Sequence, residues 1–133
     1  MALDVISVVD DDVSVCRSTT LLLESFGYRA AAYQSAESFL NFAQRHDTSC
    51  LLLDVQMPGI NGLELQSQLT AEGCTFPIIF MTAFYEKESG RRAMEGGAVA
   101  FLPKPFSDEQ LLQIIRSALT KRGFPKTKRA CPL

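Results

Sequence analysis

Hydrophobic and polar positions along the chain form two kinds of pattern, and the first is a set of short apolar runs that end abruptly at a polar residue. The run that begins at Val5 ends at three consecutive aspartates. Continuous apolar runs of this kind are typical of parallel strands buried on both faces. We therefore predict five strands, at 5–9, 28–33, 51–53, 78–81 and 98–102.

The second pattern places apolar residues at helical spacing between these runs. The first such stretch ends at Gly27, which suits a left-handed helix C-cap. Ser35 is positioned to cap the second helix, and the sequence SDEQ starting at Ser107 is a capping box for the fifth. The apolar residues expected in the core are Val15, Leu22, Leu23 and Phe26 in helix one, Phe39, Leu40 and Phe42 in helix two, Leu63, Leu65 and Leu69 in helix three, and Ile114, Ile115, Ala118 and Leu119 in helix five.

The fourth helix, predicted over 86–95, differs from the others. Its clearly apolar residues are Ala93 and Met94 alone, and Gly90 in a helix interior costs about 1 kcal/mol relative to alanine. We expect this helix to be marginally stable and mobile. Strands that alternate with helices connect through right-handed crossovers, so the chain is predicted to form an open parallel sheet covered by helices on both faces.

Length and composition restrict the class of protein. A chain of 133 residues fits one domain, and 47% hydrophobic with 21% charged residues is ordinary for a globular protein. The net charge of −2 provides no general attraction to nucleic acid or anionic lipid. Four cysteines without a CxxC pair, beside a single histidine, argue against a zinc site.

Targeting signals and the end of the chain complete the predicted organisation. No stretch resembles a signal peptide or reaches the ~18 apolar residues of a membrane span, so a soluble cytoplasmic protein is expected. The proline-containing, basic sequence RGFPKTKRACPL has no helical periodicity and predicts an extended tail or a linker stub. We therefore divide the chain into a domain at 1–121 and a basic tail at 122–133.

The candidate chemistry lies in polar residues at the ends of predicted strands, because ligands of open parallel sheets bind at the carboxyl edge of the strands. Each residue has a structural explanation when taken alone, such as a helix cap, a turn or a solvated loop. Together, carboxylates at one edge repel one another unless a proton or a divalent cation relieves them, and Mg²⁺ suits such oxygen ligands. A lysine and a hydroxyl complete a phosphoryl-binding site. The residues are Asp10, Asp11, Asp12, Asp54, Thr82 and Lys104.

Four motifs in this order resemble the receiver domain of response regulators in bacterial two-component signalling. They are the acid pair Asp10 and Asp11, LLLDVQMPGINGLEL around Asp54, FMTA around Thr82 and FLPKPF around Lys104. The resemblance covers about residues 4–121 and is strongest to the FixJ-type subgroup, whose members usually join the receiver to a helix-turn-helix DNA-binding domain. It implies an α/β, flavodoxin-like, doubly wound (βα)5 fold with a five-stranded parallel sheet in the order 2-1-3-4-5.

The resemblance also implies roles for individual residues in phosphorylation. Asp54 would be the phosphoacceptor, and Asp11, Asp54 and the backbone carbonyl of Gln56 would bind Mg²⁺ directly, with Asp10 assisting. Gln56 and Phe84 would modulate the phosphoryl lifetime, because they should flank the path of attacking water.

A second group of implied roles concerns the phosphoryl oxygens and the switch. Thr82, Ala83 and Lys104 would hold the phosphoryl oxygens. Thr82 moving toward them would vacate space that Phe101, at the aromatic switch position, can enter. The Lys104–Pro105 peptide bond would be cis, as X-Pro bonds sometimes are.

The implied partners are those of a signalling domain. A sensor histidine kinase would donate the phosphoryl group, and phosphorylation would promote a homodimer through helix four, strand five and helix five. An attached DNA-binding domain would give the output. This chain alone is expected neither to bind specific DNA nor to contact a membrane, and to catalyse only its own phosphorylation and dephosphorylation.

Two alternative functions remain open from the sequence. The Asp-x-Asp-x-Val pattern in VVDDDV also matches haloacid-dehalogenase-like phosphatases, with Asp10 as nucleophile and Asp12 as acid/base. This alternative leaves Asp54 unexplained and lacks room for the usual cap domain. The other alternative is a receiver-like module that binds a partner without phosphorylation, against which the intact acidic residues, Thr82 and Lys104 argue.

Overall fold

Five strands alternate with five helices along the part of the chain that the structure, a computed structural model, describes, namely residues 4–42 and 47–121. The predicted tail at 122–133 lies outside the described residues. The elements are β1 Val5–Val9, α1 Val13–Ser25, β2 Arg29–Tyr33, α2 Ala36–Asn41, β3 Cys50–Asp54, α3 Gly62–Ala71, β4 Ile78–Thr82, α4 Lys87–Glu95, β5 Ala100–Pro103 and α5 Asp108–Lys121.

The strands form one parallel sheet in the order β2-β1-β3-β4-β5, which confirms the predicted fold class. The order reverses between β1 and β3, since the chain first adds β2 on one side and then β3 on the other. The register pairs Val9 with Leu53, Asp54 with Met81 and Thr82 with Pro103. The carboxyl ends of neighbouring strands are therefore level, and the residues that follow them lie at one edge.

Two apolar layers hold the helices on opposite faces of this sheet. One layer packs the strand residues Leu51, Leu53 and Phe80 against helices on that side, including Phe39 of α2 and Leu65 of α3. The opposite layer combines Ile6, Leu52 and Ile79 with Leu23 of α1 and Ile115 of α5. Every residue of β1, β3 and β4 is buried, as continuous apolar runs predict. No helix in the described ranges is long and apolar enough to cross a membrane.

Local signals in the sequence place several helix ends correctly. Gly27 adopts φ +91° after α1, as expected of a left-handed cap. Ser35 accepts a hydrogen bond from the N–H of Ser38 at the start of α2. Ser107 and Gln110 exchange backbone-to-side-chain bonds of 2.9 and 3.1 Å, which is the predicted capping box of α5.

Other expectations about the core and the element ends were wrong. Phe26 and Phe42 are 54% and 53% exposed rather than in the core, because each is the C-cap residue at which its helix ends. The fifth strand begins at Ala100 rather than at residue 98. Ala98 still belongs to the turn after α4, since its N–H donates to the carbonyl of Ala93.

Helix α4 forms despite its polar sequence, but few contacts hold it. Gly90 and Ala93 are its buried residues, and Glu86 at the N-cap makes no side-chain hydrogen bond to the helix. On the exposed side, Arg91 pairs with both Glu88 and Glu95. Solvent screens ion pairs that are this exposed, so they add little to its stability. The mobility of α4 remains a prediction.

Candidate functional site

The carboxyl edge of the sheet gathers three of the predicted acidic residues. Asp10 follows β1, Asp54 ends β3, and Asp11 lies next to Asp10 in the loop before α1. One carboxylate oxygen from each of these three residues lies within 4.8 Å of those of the other two. Asp10 is fully buried and Asp54 is 7% exposed, whereas Asp11 is open to solvent. The cluster therefore has a buried floor and one accessible carboxylate.

Asp12 is the predicted edge residue that stands apart from this cluster. Its carboxylate accepts hydrogen bonds from the N–H groups of Ser14 at 2.8 Å and Val15 at 3.3 Å, and so caps α1. Of the structural explanations that the sequence offered for the edge residues, the helix cap therefore applies to Asp12. A carboxylate used in this way is not placed to act as the acid/base partner of Asp10.

Lys104 neutralises the buried Asp10 from the opposite end of the site. Its ammonium nitrogen lies 2.8 Å from the Asp10 Oδ2, and the second oxygen of Asp10 accepts from the backbone N–H of Asp12 at 2.9 Å. Lys104 itself follows β5, where its backbone N–H donates to the carbonyl of Thr82 at 2.7 Å and the Lys104–Pro105 peptide bond is cis. A buried carboxylate needs such a partner, because an unpaired charge in the interior costs several kcal/mol.

The negative charge of the Asp54 carboxylate is only partly compensated by the groups around it. Burial and, next in size, the nearby Asp10 carboxylate raise the pKa of its carboxyl to about 6, against the lowering effects of Lys104 and of a hydrogen bond from the Gln56 backbone. Asp11 adds a smaller upward effect. One lysine therefore faces three carboxylates, and the site favours either a proton or an added cation.

Thr82 ends β4 with its hydroxyl already engaged. The hydroxyl donates to the carbonyl of Phe84 at 2.9 Å and accepts from the N–H of the same residue at 3.1 Å. Ala83 and Phe84 are exposed in the loop that follows. Phe101 on β5 is half-buried, with its ring centroid 6.1 Å from that of Phe80 and 5.8 Å from that of Tyr85.

The loop after Asp54 is fixed close to the site by a glycine. A Cβ at Gly62 would lie 2.3 Å from the carbonyl oxygen of Asp54, so α3 approaches the strand end more closely than any other residue allows. Gln56 in this loop is exposed, and its amide lies 3.5 Å from the carboxylate of Glu86 at the start of α4. The loops after β3 and β4 thus meet across the mouth of the site.

Four of these contacting residues were missed by sequence reasoning. Gly62 lies within the motif around Asp54 and could have been found as a glycine at a helix start. Glu86 was predicted only as the first residue of the polar fourth helix, and Tyr85 was not singled out. Gln66 on α3 is a polar residue among apolar neighbours, which is the signal of a buried amide, and it is 4% exposed.

Known proteins resemble the chain over most of its length. The transcriptional regulatory protein FixJ of Bradyrhizobium diazoefficiens is 38% identical over 123 residues, which are 92% of this chain and 60% of that protein. Nodulation protein W of the same species is 43% identical over 114 residues, or 86% of this chain and 50% of its own length. The chain therefore spans about half the length of the curated relatives it matches.

Fold comparison and a family match agree with these relatives. The crystal structure of FixJ-N superposes with a TM-score of 0.84 at 31% identity, covering 94% of this chain and all of the other. The model of the response regulator receiver domain family matches residues 6–116. Because that match includes the strands and loops that build the acidic edge, the chain belongs to the response regulator receiver domains, and to the FixJ-type members that its motifs indicated.

Proposed function

We propose that this chain accepts a phosphoryl group on Asp54 from a phosphohistidine of a sensor histidine kinase and thereby switches an output. The observation that carries the proposal is the cluster of Asp10, Asp11 and Asp54, with carboxylate oxygens within 4.8 Å of one another and Lys104 beside them. Of the two carboxylates in this cluster that have no direct contact with Lys104, Asp54 is the buried one, at the end of β3. It is the nucleophile we assign.

The residues fit a bound Mg²⁺. Hard oxygen ligands from one or two carboxylates, completed by water and phosphate oxygen, are what this ion prefers. Asp11, Asp54 and the backbone carbonyl of Gln56 would hold it, with Asp10 assisting. When bound, the cation would offset the repulsion that raises the pKa of Asp54 and would neutralise charge on the phosphoryl oxygens.

Phosphoryl transfer requires mainly position and charge neutralisation. A carboxylate oxygen of Asp54 bonds to phosphorus as the phosphorus–nitrogen bond to the donor histidine breaks. In this proposal Lys104, which follows β5, and Thr82 with the backbone of Ala83, at the end of β4, would contact the phosphoryl oxygens. The product is an acyl phosphate on Asp54. In this proposal the chain catalyses only the formation and the hydrolysis of its own acyl phosphate.

Thr82 can couple this chemistry to the surface. To contact a phosphoryl oxygen, its hydroxyl must give up both hydrogen bonds to Phe84, each worth about 0.5–1.5 kcal/mol net. A hydrogen bond to a charged group is worth about 1.5–3 kcal/mol, so the exchange is nearly balanced. We propose that this balance makes Thr82 and Phe101 a two-state switch, with Phe101 moving into the space that Thr82 leaves.

The output lies beyond the domain described here. Since the matched relatives are about twice as long and FixJ is a transcriptional regulatory protein, we propose that a helix-turn-helix domain follows the receiver in the full-length protein. In this proposal residues 1–121 form the receiver and residues 122–133 form the start of a linker. Phosphoryl transfer takes place in the cytoplasm, and this chain alone binds no specific DNA. A phosphatase centred on Asp10 is not proposed, because Asp12 is committed to capping α1.

The first prediction concerns the phosphorylated residue. With a small acyl-phosphate donor and Mg²⁺, intact mass should rise by one phosphoryl group, and peptide mapping should place it on Asp54. Asp54→Asn or chelation of Mg²⁺ should abolish the gain. Asp12→Asn is the matched control, since asparagine also caps helices and this variant should still be phosphorylated. Label on Asp10 would favour the phosphatase, and no label at all would favour a module that works without phosphorylation.

The second prediction concerns pH and stability without metal. The folded-state pKa of Asp54, about 6, lies above the 3.8 of an unperturbed aspartate, so the folded protein binds more protons than the unfolded chain between these values. Stability relative to Asp54→Asn should therefore be greatest below about pH 4 and fall as pH rises through 6, by at most about 3 kcal/mol. Urea unfolding of both proteins across pH 4–8 measures this difference. Added Mg²⁺ should reduce it, and a pH-independent difference would contradict the assignment.

The third prediction concerns the phosphoryl lifetime. Phe84 is 69% exposed beside the site, where its bulk should hinder in-line water, although the amide of Gln56 could instead orient that water. Phe84→Ala should shorten the lifetime severalfold, as followed by decay of the phosphorylated mass. Phe26→Ala removes an equally bulky exposed ring at the end of α1 and should leave the lifetime unchanged. An unchanged or longer lifetime in Phe84→Ala would reject the steric role.

The fourth prediction concerns association through the face formed by α4, β5 and α5. Arg91 is already paired within α4, so charge alone offers little for a self-complementary contact, and Met94 and Val99, both nearly half exposed, must supply apolar burial. Sedimentation at tens of micromolar should show a dimer with beryllium fluoride and a monomer without it. Met94→Ser should weaken this dimer. Monomers under both conditions would show that phosphorylation acts on the output domain instead.

A further inference from the structure

The C-terminal end of α4 is attached to α3 by a buried side chain. Gln66 of α3 is 4% exposed, and its amide nitrogen donates to the backbone carbonyl of Ala93 at 2.9 Å. Ala93 is itself fully buried. Burying a carboxamide is unfavourable unless it is hydrogen-bonded, so this hydrogen bond offsets the free-energy cost of burying Gln66.

Gly96 provides a second, independent observation of the same attachment. A Cβ at this position would lie 2.6–2.9 Å from the three terminal atoms of the Gln66 side chain. The φ of Gly96 is −78°, which any residue can adopt, so the backbone does not require glycine here. What excludes a larger residue is the carboxamide of Gln66, which fills the space beside the last turn of α4.

The N-terminal end of α4 has weaker attachments. Glu86 at the N-cap gives no side-chain bond to the helix, and its carboxylate instead lies 3.5 Å from the exposed amide of Gln56. Tyr85 covers Gly90, but the ring is 60% exposed. Phe84, just before it, is held through the hydroxyl of Thr82. These contacts are exposed, long, or depend on the proposed phosphoryl-binding threonine.

We propose that Gln66 is a positioning residue that hinges α4 at its C-terminal end, so that the N-terminal end alone moves when Asp54 is phosphorylated. The cause of the movement, phosphorylation of Asp54, rests on the proposed function, whereas the attachment of α4 by Gln66 does not. The surface that differs between the two states is then the loop of Phe84 and Tyr85 with the first turn of α4. Met94 and Val99 keep their places, so a partner that distinguishes the states, including a dimer that buries Met94 and Val99, must also contact the Phe84–Tyr85 end.

The hinge can be tested in the unphosphorylated chain by amide hydrogen exchange with NMR detection. The reporters are the N–H groups of Gly96 and Ala98, which donate to the carbonyls of Arg92 and Ala93. Gln66→Met keeps the side-chain length but removes the donor, and should speed their exchange about tenfold. Gln68→Met, an exposed position on the same helix, is the matched control and should change neither reporter.

A double-mutant cycle separates the hinge from general destabilisation. Gly96→Ala should speed exchange at Ala98 in the wild-type background, because its methyl group displaces the Gln66 amide, but should have little further effect in Gln66→Ala. The N–H of Gly90, bonded to Glu86, should exchange equally in all four proteins. Additive effects, or faster exchange spread evenly through the buried strands, would overturn the hinge.

The direction of movement is tested with beryllium fluoride and Mg²⁺. In the wild type, amide shifts should change at Phe84–Gly90 and not at Gly96–Ala98, whereas in Gln66→Met the changes should extend to both ends. Equal changes at both ends of the wild-type helix would overturn the inference. Asp54→Asn shows whether the adduct forms on Asp54. If no adduct forms, the proposed function fails while the exchange experiment still decides the hinge.

Discussion

Repulsion among the carboxylates of Asp10, Asp11 and Asp54 is the constraint on which the rest of the site depends. The strands that carry Asp10 and Asp54 are buried on both faces and locked in register, so the two groups cannot move apart without disrupting the core. Lys104 relieves part of the repulsion by its 2.8 Å contact with Asp10. Burial, together with the repulsion that remains, raises the pKa of Asp54, so the edge favours a proton or an added cation.

The excess negative charge at this edge also explains how a reaction at the site can alter the surface of the domain. Thr82 lies at the end of a buried strand, but its hydroxyl is bonded to a loop rather than to the carboxylates. A group that offers this hydroxyl a stronger acceptor competes directly with the loop. The loop leads into α4, which has two buried residues, Gly90 and Ala93, and no side-chain cap at its start. A modest free energy at the site can therefore act on a weakly held element.

Buried polar groups determine which end of α4 is fixed. Asp10 and Gln66 are both in the core, and each has a partner from a distant part of the chain. Leaving either partner without its bond would cost about 1–3 kcal/mol or more, so these contacts persist while exposed ones exchange with water. The Gln66–Ala93 bond thus limits movement at one end of α4, and the exposed Gln56–Glu86 contact permits it at the other.

The elements, their order along the chain and the residues of the acidic edge were predictable from the pattern of residues. Continuous apolar runs identify buried parallel strands, Gly27 and Ser107 mark helix ends through local chemistry, and the receiver motifs name Asp54, Thr82 and Lys104. The prediction of buried residues was wrong where burial depends on the backbone direction at the end of a helix, as at Phe26 and Phe42. Tertiary structure alone decided the pairing of Lys104 with Asp10, the hydrogen bonds of Thr82 to Phe84 and the insertion of Gln66 beside Gly96. Most of these contacts join residues far apart in the chain, and all depend on side-chain conformation and on the packing of whole elements, which no local pattern of hydrophobic and polar residues encodes.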